Sequence, residues 1–552
     1  MADRRFDAVV IGGGHHGVIV ACYLARAGLT VGVFERRDQL GGGATSTRGP
    51  APGFLMNRFA HWTRFYGHPA YRDFNLQAEG LRYVFPDENQ GIAFEDGSSF
   101  IGCSAFTIAD AGAGGVGAGG GGPIYSQANV DRTREQIRRF SPRDADTYVD
   151  LLEKYARYWK PAFSQHRFMP PAPWGTPDPL EALVEDPASG IEPVHQLMTV
   201  RQLACDFFES PELRTLFMRA VAISTGCFAD DVIGLQGLLH MLPSTLAFEA
   251  PAVAIGASQS VSDALVAAGR RLGVEYFAQA EVDEILASGE RAIGIQLAQG
   301  ERVAADLVVS GLGLTQTVLR LMRNVPVDAR IVRRLRNIHY DRGQLFSVNV
   351  ALHEPPRYAA AERNPGFGPQ ARLLWGPNDP DYLVTRYQPE IFLRGHADRL
   401  YAYSAVDTQW DPSRAPEGKH LVAIHEFGAP RRLFSAGQWR AIKDSLQRTM
   451  LEQWRRYAPN MTPDNIIAID VIGPDDVEAS LPDMIEGGFS EGAMIASQLG
   501  RFRPIPELAQ YRTILQNVYT CSSNLHPGAG IGRGSSYNCF QRIAADLGLA
   551  RS

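Results

Sequence analysis

The sequence predicts an α/β fold (α+β overall) that contains a parallel sheet, and three observations carry this prediction. Near the N-terminus, the apolar run Val9–Ile11 leads into a glycine-rich turn and then into a helical pattern over Val18–Ala27. A second apolar run, Thr30–Phe34, follows directly. Near the C-terminus, the apolar residues after Asn517 again lead into glycines and a helical pattern. Strand, turn and helix in succession are typical of parallel strands covered by helices.

The first turn has the spacing Gly12-x-Gly14-x-x-Gly17. In a strand–turn–helix unit, Gly12 permits the tight turn, Gly14 lets the backbone approach a pyrophosphate, and Gly17 lets the helix pack closely on the strand. The first N–H groups of the helix attract phosphate oxygens. His15 and His16 occupy the variable positions, where we expect them to pack near the phosphates. The turn therefore predicts an adenine dinucleotide site.

The residues after the second strand indicate which dinucleotide is bound. Glu35 ends that strand about 20 residues after the turn, where a carboxylate can bind ribose hydroxyls. The pattern Glu-x5-Gly-Gly that follows resembles the extension found in flavoproteins related to amine oxidases and phytoene desaturases. The resemblance implies FAD as cofactor, contacted at its adenosine end by Glu35 and Arg36. It places Gly42, Gly43 and Ala44 along the rest of the extended cofactor.

The C-terminal stretch Asn517–Ile531 combines an apolar strand, a glycine-rich turn and a helix predicted over Cys539–Leu547. Such a turn at a helix start offers backbone N–H groups to the flavin end of FAD. The stretch resembles the closing motif of phytoene desaturase-like flavoproteins, a group that includes carotenoid desaturases and retinol saturase-like proteins. Ser522 departs from it, because a glycine is usual there. The resemblance covers nearly the whole chain and implies further FAD contacts at Val282, Gly311, Ser523, Gly530 and Ile531.

Length and resemblance together predict two domains, because a single core rarely grows beyond about 250–300 residues. The FAD-binding domain is predicted to be Rossmann-like and discontinuous, comprising residues 1–90, 252–330 and 505–552. Residues 91–251 and 331–504 are predicted to form a substrate-binding domain with a mixed sheet and a helical cap.

Composition excludes several classes of function. The net charge of −6, without runs of like charge, gives no reason to expect nucleic acid. Six scattered cysteines without a CxxC pair suit a reducing compartment and argue against a metal or iron–sulfur site. The chain shows no signal peptide and no uninterrupted apolar run of about 18 residues. We therefore expect a cytoplasmic protein, with peripheral membrane contact and oligomeric state left open.

The middle of the chain is helical and aromatic. Ser141-Pro142 predicts a helix start, and Tyr148, Leu151, Leu152, Tyr155 and Trp159 follow at helical spacing. This stripe is either core or the wall of an apolar substrate cavity. The glycine-rich run over 112–122 contains a second GxGxxG, but no helical pattern follows it. We interpret the run as a low-complexity loop rather than a second nucleotide site.

Two histidines are candidate catalytic residues. The resemblance places His526 beside the flavin and His61 on the segment after the glycine pair. Either could act as acid or base, because an unperturbed histidine titrates near pH ~6.5. The alternative for His526 is that it only shapes its turn. Arg48, Arg64 and Tyr66 are further polar candidates nearby.

The leading hypothesis is an FAD-dependent oxidoreductase that desaturates a largely apolar small molecule, either isoprenoid-like or a biosynthetic intermediate. Hydride would pass to flavin N5, and electrons would leave to O2 or a quinone, since the chain shows no second nucleotide unit. The alternatives are a flavin amine oxidase using O2, a redox-neutral flavin-dependent isomerase, and a non-catalytic FAD-binding scaffold.

Overall fold

The computed structural model describes residues 4–61, 63–108 and 122–550, and within them the chain forms two seven-stranded sheets with helices around them. The predicted α/β fold class is confirmed. Of the glycine-rich run over 112–122, all but Gly122 lies outside the described residues. No helix within the described residues is long and apolar enough to cross a membrane.

The first sheet contains the strands predicted from the two ends of the chain. Its core pairs are parallel, and their residues are buried on both faces: Val9 and Val308 are both fully inaccessible. Three helices pack together beside it, His15–Arg26, Gln259–Arg271 and Ser535–Leu547. The strand order is Glu275–Phe277, Val31–Phe34, Arg4–Ile11, Arg302–Ser310, Arg291–Leu297 and Val282–Ser288, with Val518–Thr520 also beside Arg302–Ser310.

This order positions the functional residues. The strands Arg4–Ile11, Arg302–Ser310 and Val518–Thr520 are mutually parallel, so their carboxyl ends meet at one edge of the sheet. The turn after the first strand, Gly311 and the C-terminal glycines all follow these ends. Ligands of open α/β sheets bind at such an edge.

The second sheet is mixed and mostly antiparallel. The long helix Ala436–Tyr457 packs beside it and buries Trp439, Leu446 and Trp454. Because the sheet includes residues 88–90, it extends past the boundary predicted at residue 90; the division into two domains stays a prediction. The strand order is Ile466–Ile472, Leu345–Leu352, His420–Phe427, Ala402–Val406, Arg372–Gly376, Glu88–Phe94 and Ser99–Cys103.

The helical block has the start predicted for it, since Ser141 Oγ accepts a hydrogen bond from the backbone N–H of Asp144 at 3.0 Å. A π-helical turn at Tyr155–Trp159 links two of its helices, and the side chains of Tyr155 and Trp159 are buried. The helices of the block are Gln127–Arg138, Pro142–Lys154, Lys160–Arg167, Glu181–Glu185, Val200–Phe207, Pro211–Thr225 and Gly234–Thr245.

Smaller elements complete the described chain. Three two-stranded pairs are Ser46–Arg48 with Leu55–Asn57, Tyr83–Val84 with Val253–Ala254, and Phe106–Ile108 with Pro123–Tyr125. The remaining α-helices are Pro69–Asp73, Leu314–Gln316, Ala329–Arg336, Pro380–Tyr382, Gln388–Arg394, Asp407–Trp410 and Pro474–Ser480.

One predicted boundary was wrong. The C-terminal helix begins at Ser535 instead of Cys539. Ser535 Oγ donates to the carbonyl of Ser522 at 2.7 Å, which holds the helix start against the preceding turn.

Candidate active site

The N-terminal turn requires glycine at the positions that the spacing indicated. Gly12 has φ +91°, a conformation that side chains with a Cβ rarely adopt. A Cβ on Gly17 would lie 2.2 Å from the carbonyl oxygen of Gly12. The helix His15–Arg26 has no side-chain cap, so its first backbone N–H groups point out of the turn without a side-chain acceptor.

A second glycine segment packs against this turn. The backbone N–H of Gly41 donates to the carbonyl of Gly13 at 2.8 Å, and Gly14 forms a parallel bridge with Gly41. A Cβ on Gly42 would lie 2.9 Å from Gly14 Cα. The two segments therefore form one wall made almost entirely of backbone.

The carboxylate of Glu35 lies at the end of its strand, facing the turn. Its Oε2 accepts from the backbone N–H of Gly13 at 2.8 Å, and its Oε1 accepts from that of Arg37 at 2.9 Å. The guanidinium of Arg36 donates to the carbonyl of Ser480 at 2.9 Å, which closes the cleft from the opposite side.

The cleft beside these residues brings together most of the predicted cofactor contacts. Gly17 and Ala44 are buried behind its wall, and Ser523, Gly530 and Ile531 do not line it. The predicted residues that do line it are Gly12, Gly14, His15, Glu35, Arg36, Gly42, Gly43, Val282 and Gly311.

The two ends of the chain meet at this cleft. The ring of His16 lies with Nε2 3.1 Å from Ser523 Oγ and with Nδ1 3.4 Å from Ser536 Oγ. His15 packs against His16 with 4.1 Å between ring centroids. Burial lowers the pKa of His15 to about 4, so the ring is neutral near pH 7, and its Nε2 has no partner among the described residues.

A buried arginine holds the C-terminal segment in place. Arg503 is 1% exposed, and burial lowers its pKa to about 10. Its guanidinium donates to the carbonyls of Ser523 at 2.9 Å and Leu525 at 3.2 Å, and to that of Ser490 at 2.7 Å. Arg503 therefore supports the turn through backbone carbonyls, a role that the spacing of the sequence did not predict.

Two partly buried carboxyl groups lie on the far wall of the cleft. Burial raises the pKa of Asp483 to about 6, although the backbone N–H of Gly313 donates to its Oδ2 at 2.9 Å. Burial and the nearby Asp483 raise the pKa of Glu491 well above its usual value. These side chains were not identified from the sequence, because single acidic residues in a loop carry no distinguishing pattern.

The position of His526 favours the alternative to catalysis. The ring is fully buried, and its Nε2–H donates to the carbonyl of His166 at 2.8 Å. Burial, together with the nearby His166, lowers the pKa of His526 to about 3. An imidazole with so low a pKa stays neutral near pH 7 and does not act as an acid. The catalytic role of His526 stays a prediction, and the contacts support a role in shaping the turn.

His61 occupies a different environment. Its Nε2 lies 2.7 Å from Asp407 Oδ1, and Arg414 Nη1 lies 2.8 Å from the other carboxylate oxygen. Burial opposes the ionised carboxylate, but Arg414 and His61 outweigh it and hold the pKa of Asp407 below its usual value. The ring of His425 lies 5.4 Å from that of His61. His61 is therefore a histidine whose ring is held by a fixed carboxylate, an arrangement that orients a general acid or base.

The neighbouring backbone links His61 to the cleft. The N–H of Ala60 donates to the carbonyl of Gly43 at 3.2 Å. Asp407 and Arg414 come from the second sheet's connections, far along the chain from His61, and no periodic or motif pattern in the sequence could have identified them.

A group of charged side chains, which we name the basic cluster, lies between the helical block and the C-terminal segment. It comprises Arg64, Lys160, Arg167, Glu249 and Arg533. Arg167 donates to the carbonyl of Gly532, and Lys160 Nζ lies 2.8 Å from Glu249 Oε1. Of the polar candidates noted in the sequence, Arg64 belongs to this cluster, Tyr66 lies beside it, and Arg48 lines a separate groove near Asp470.

The cleft fits an extended adenine dinucleotide. Two glycine segments permit close approach, an uncapped helix start presents N–H groups, and the buried Nε2 of His15 lacks a partner among the described residues. Within the same residues no group of three or more His, Cys, Asp or Glu side chains is arranged to hold a metal ion.

Comparisons with known proteins agree with this geometry. The chain is 25% identical over 568 residues to a subunit of limonene dehydrogenase from Castellaniella defragrans, with 99% of this chain and 96% of the relative covered. It is 23% identical to the lycopene-forming phytoene desaturase of Paracoccus sp., with 98% of both chains covered. The fold resembles that of cyclohexylamine oxidase from Brevibacterium oxydans, with a TM-score of 0.58, 15% identity and 98% of both chains covered.

The family model for flavin containing amine oxidoreductases matches residues 17–441. This match spans well over half of the chain and includes the glycine pair, His61 and most of the second sheet. The chain therefore belongs to the flavin containing amine oxidoreductase family and is an FAD-dependent oxidoreductase.

Proposed function

We propose that this protein is an FAD-dependent dehydrogenase that introduces a carbon–carbon double bond into a largely apolar, isoprenoid-like small molecule. The observation that carries the proposal is the pair His61–Asp407, a buried base candidate beside the glycine wall of the FAD cleft. The two relatives that span almost the whole chain are named for limonene and for phytoene, which supports this substrate class.

The proposed FAD contacts are those predicted from the sequence. The N-terminal turn and the first helix would bind the diphosphate through backbone N–H groups, and Glu35 would bind the adenosine ribose. Ser523, Gly530 and Ile531 would contact the flavin end. The contact between His16 and Ser523 supports this arrangement, because it holds the two cofactor-binding segments together.

The residues of the chain have a defined task in desaturation. Bound FAD would supply the acceptor for a hydride from one carbon, with O2 or a quinone as the final electron acceptor. The adjacent carbon must lose a proton, and His61 would accept it. Asp407 stabilises the resulting imidazolium and fixes the ring, while Arg414 keeps Asp407 ionised. The proton then passes from His61 to solvent.

A second candidate is oxidation of an amine, which the family and the fold of cyclohexylamine oxidase favour. The two candidates differ in the bond that is oxidised. Desaturation oxidises a carbon–carbon single bond, whereas amine oxidation oxidises a carbon–nitrogen single bond. The isomerase and scaffold alternatives remain outcomes of the same experiment.

The test is anaerobic bleaching of the bound FAD. The purified holoenzyme is mixed with limonene, with geraniol or with cyclohexylamine, and the flavin absorbance is followed. We expect an isoprenoid to bleach the flavin and cyclohexylamine to leave it oxidised. Bleaching by cyclohexylamine alone would overturn the desaturase proposal in favour of amine oxidation. Bleaching by none of the three, and none by geranic acid as an isoprenoid acid, would contradict the proposed substrate class.

A further inference from the structure

We propose that the basic cluster binds an oxyanion at one end of the substrate, so that the substrate is an amphipathic isoprenoid acid rather than a hydrocarbon. This inference rests on the proposed function and narrows its substrate class. It stands on three properties of the cluster: its charge, its lack of internal partners and its position.

The charge of the cluster is unbalanced. It contains the guanidinium groups of Arg64, Arg167 and Arg533, the ammonium group of Lys160 and a single carboxylate, Glu249. Lys160 already neutralises Glu249, with 2.8 Å between Nζ and Oε1. Three guanidinium groups therefore remain without a countercharge of their own within the cluster.

Within the described residues, two of the three guanidinium groups lack acceptors, and the third has only one. Arg533 is 8% exposed, and no acceptor in residues 4–61, 63–108 or 122–550 pairs with its guanidinium or with that of Arg64. Arg167 donates to the carbonyl of Gly532, but its Nε has no partner in the same residues. A buried charge without a partner is energetically costly in a protein. Such a cluster is therefore more stable with a bound anion. Arginine binds carboxylate and phosphate oxygens in particular, through paired N–H groups.

The cluster is partly accessible. Glu249 and Lys160 keep 37% and 30% of their side-chain surface accessible. Arg533 is buried, which lowers its pKa to about 9, and the nearby Arg167 adds to this effect. A ligand can therefore reach part of the cluster, while the charge of Arg533 stays largely shielded from water.

The position of the cluster separates it from the cleft beside the N-terminal turn. None of the five residues lines that cleft. Gly532, which follows the C-terminal segment, packs closely on the cluster, since a Cβ on it would lie 2.6 Å from the carbonyl oxygen of Arg64. The cluster is therefore beside the C-terminal segment, which we propose to contact the flavin.

Aromatic side chains lie beside the cluster. Lys160 Nζ lies 4.7 Å from the ring centroid of Phe106 and 5.9 Å from that of Tyr155. Burial, with Glu249 nearby, raises the pKa of Tyr66 to about 12, so its hydroxyl stays protonated. Cations beside aromatic rings suit a ligand with an apolar chain and one charged end.

The experiment compares three ligands that share one ten-carbon chain: geraniol, geranic acid and geranyl phosphate. Each is titrated into FAD-loaded wild-type protein by isothermal titration calorimetry under anaerobic conditions. We expect geranic acid or geranyl phosphate to bind at least ten-fold more tightly than geraniol, and the tighter of the two identifies the oxyanion. Equal affinity for all three ligands would overturn the proposal, and this comparison needs no variant.

Variants locate the site. Arg533→Met and Arg64→Met are each expected to reduce the preference for the anion at least five-fold while leaving geraniol binding within two-fold. Arg456→Met, which removes an exposed arginine from the helix Ala436–Tyr457, is the matched control and should keep the full preference. An unchanged preference in both cluster variants would place the anion elsewhere and contradict the proposal.

The result is independent of turnover. If geranic acid binds preferentially but no isoprenoid bleaches the flavin, the desaturase proposal fails while the oxyanion site stands. If an isoprenoid bleaches the flavin without any preference for the acid, the oxyanion site fails alone.

Discussion

The FAD cleft and the basic cluster are built in opposite ways. The cleft is formed mainly by backbone, from two glycine segments that contact each other and from an uncapped helix start. The basic cluster is formed by long side chains from four separated parts of the chain, packed around the C-terminal turn. FAD is therefore proposed to bind where side chains are absent, and the substrate to be selected where charged side chains converge. The same contrast applies to His61, whose carboxylate partner comes from a distant connection.

The largest effect is expected at His61, where a substitution should change the rate of flavin reduction without changing FAD binding. His61→Gln removes the proton acceptor and should slow anaerobic bleaching by about 10²–10⁴-fold, the usual contribution of a positioned acid or base. FAD content should not change, because the glycine wall is untouched. Rapid-mixing absorbance measures the rate.

His526→Gln is the matched comparison, since a glutamine amide can still donate to the carbonyl of His166. We expect a rate within ten-fold of wild type. A larger loss in His526→Gln than in His61→Gln would exchange the roles assigned to the two histidines.

The next effect concerns the cleft. Gly17→Val places a side chain 2.2 Å from the carbonyl oxygen of Gly12 and forces the helix away from the strand. Overpacking of this kind costs about 1–3 kcal/mol, and we expect FAD binding to weaken at least ten-fold, measured by fluorescence quenching. Gly67→Ala is the control, because nothing lies within 4 Å of its added Cβ. Equal loss in both variants would show general instability rather than a defect of the turn.

The partly buried carboxyl group of Asp483 should make the stability of the apoprotein depend on pH. Its pKa is raised to about 6 from 3.8, so the native state binds this proton more tightly than the unfolded state does. The stabilisation is complete below pH 3.8 and is lost as the pH rises through 6. Between pH ~5 and ~7.5 wild type should lose about 1–2 kcal/mol of unfolding free energy relative to Asp483→Asn. Parallel curves from urea unfolding would contradict this assignment.

The smallest effect is expected at the contact between the chain ends. Ser523→Ala removes the hydroxyl that lies 3.1 Å from His16 Nε2. One hydrogen bond contributes about 1 kcal/mol, so FAD affinity should fall by no more than about ten-fold. Ser413→Ala, at an exposed serine that bonds Asp411 instead, should leave FAD affinity unchanged.

The sequence predicts the local backbone contacts of the cleft better than it predicts the contacts between distant side chains. Gly12, Gly17 and Glu35 were identified because local spacing determines their contacts, and the strands around them were confirmed. A local pattern, Ser141-Pro142, likewise predicted the helix start at Ser141. Asp407 and Arg533 were not identified, because their partners lie far away in the chain and only the packed fold brings them together. For His526, proximity to a motif suggested chemistry, whereas the buried contact with His166 supports the structural alternative.

Hydrogen–deuterium exchange of the apoprotein before and after addition of FAD tests most directly whether both chain ends hold one cofactor. We predict that backbone amides in residues 12–18 and in residues 523–534 become protected together, with the same dependence on FAD concentration. Protection of the first segment without the second would contradict a cofactor held at both ends of the chain.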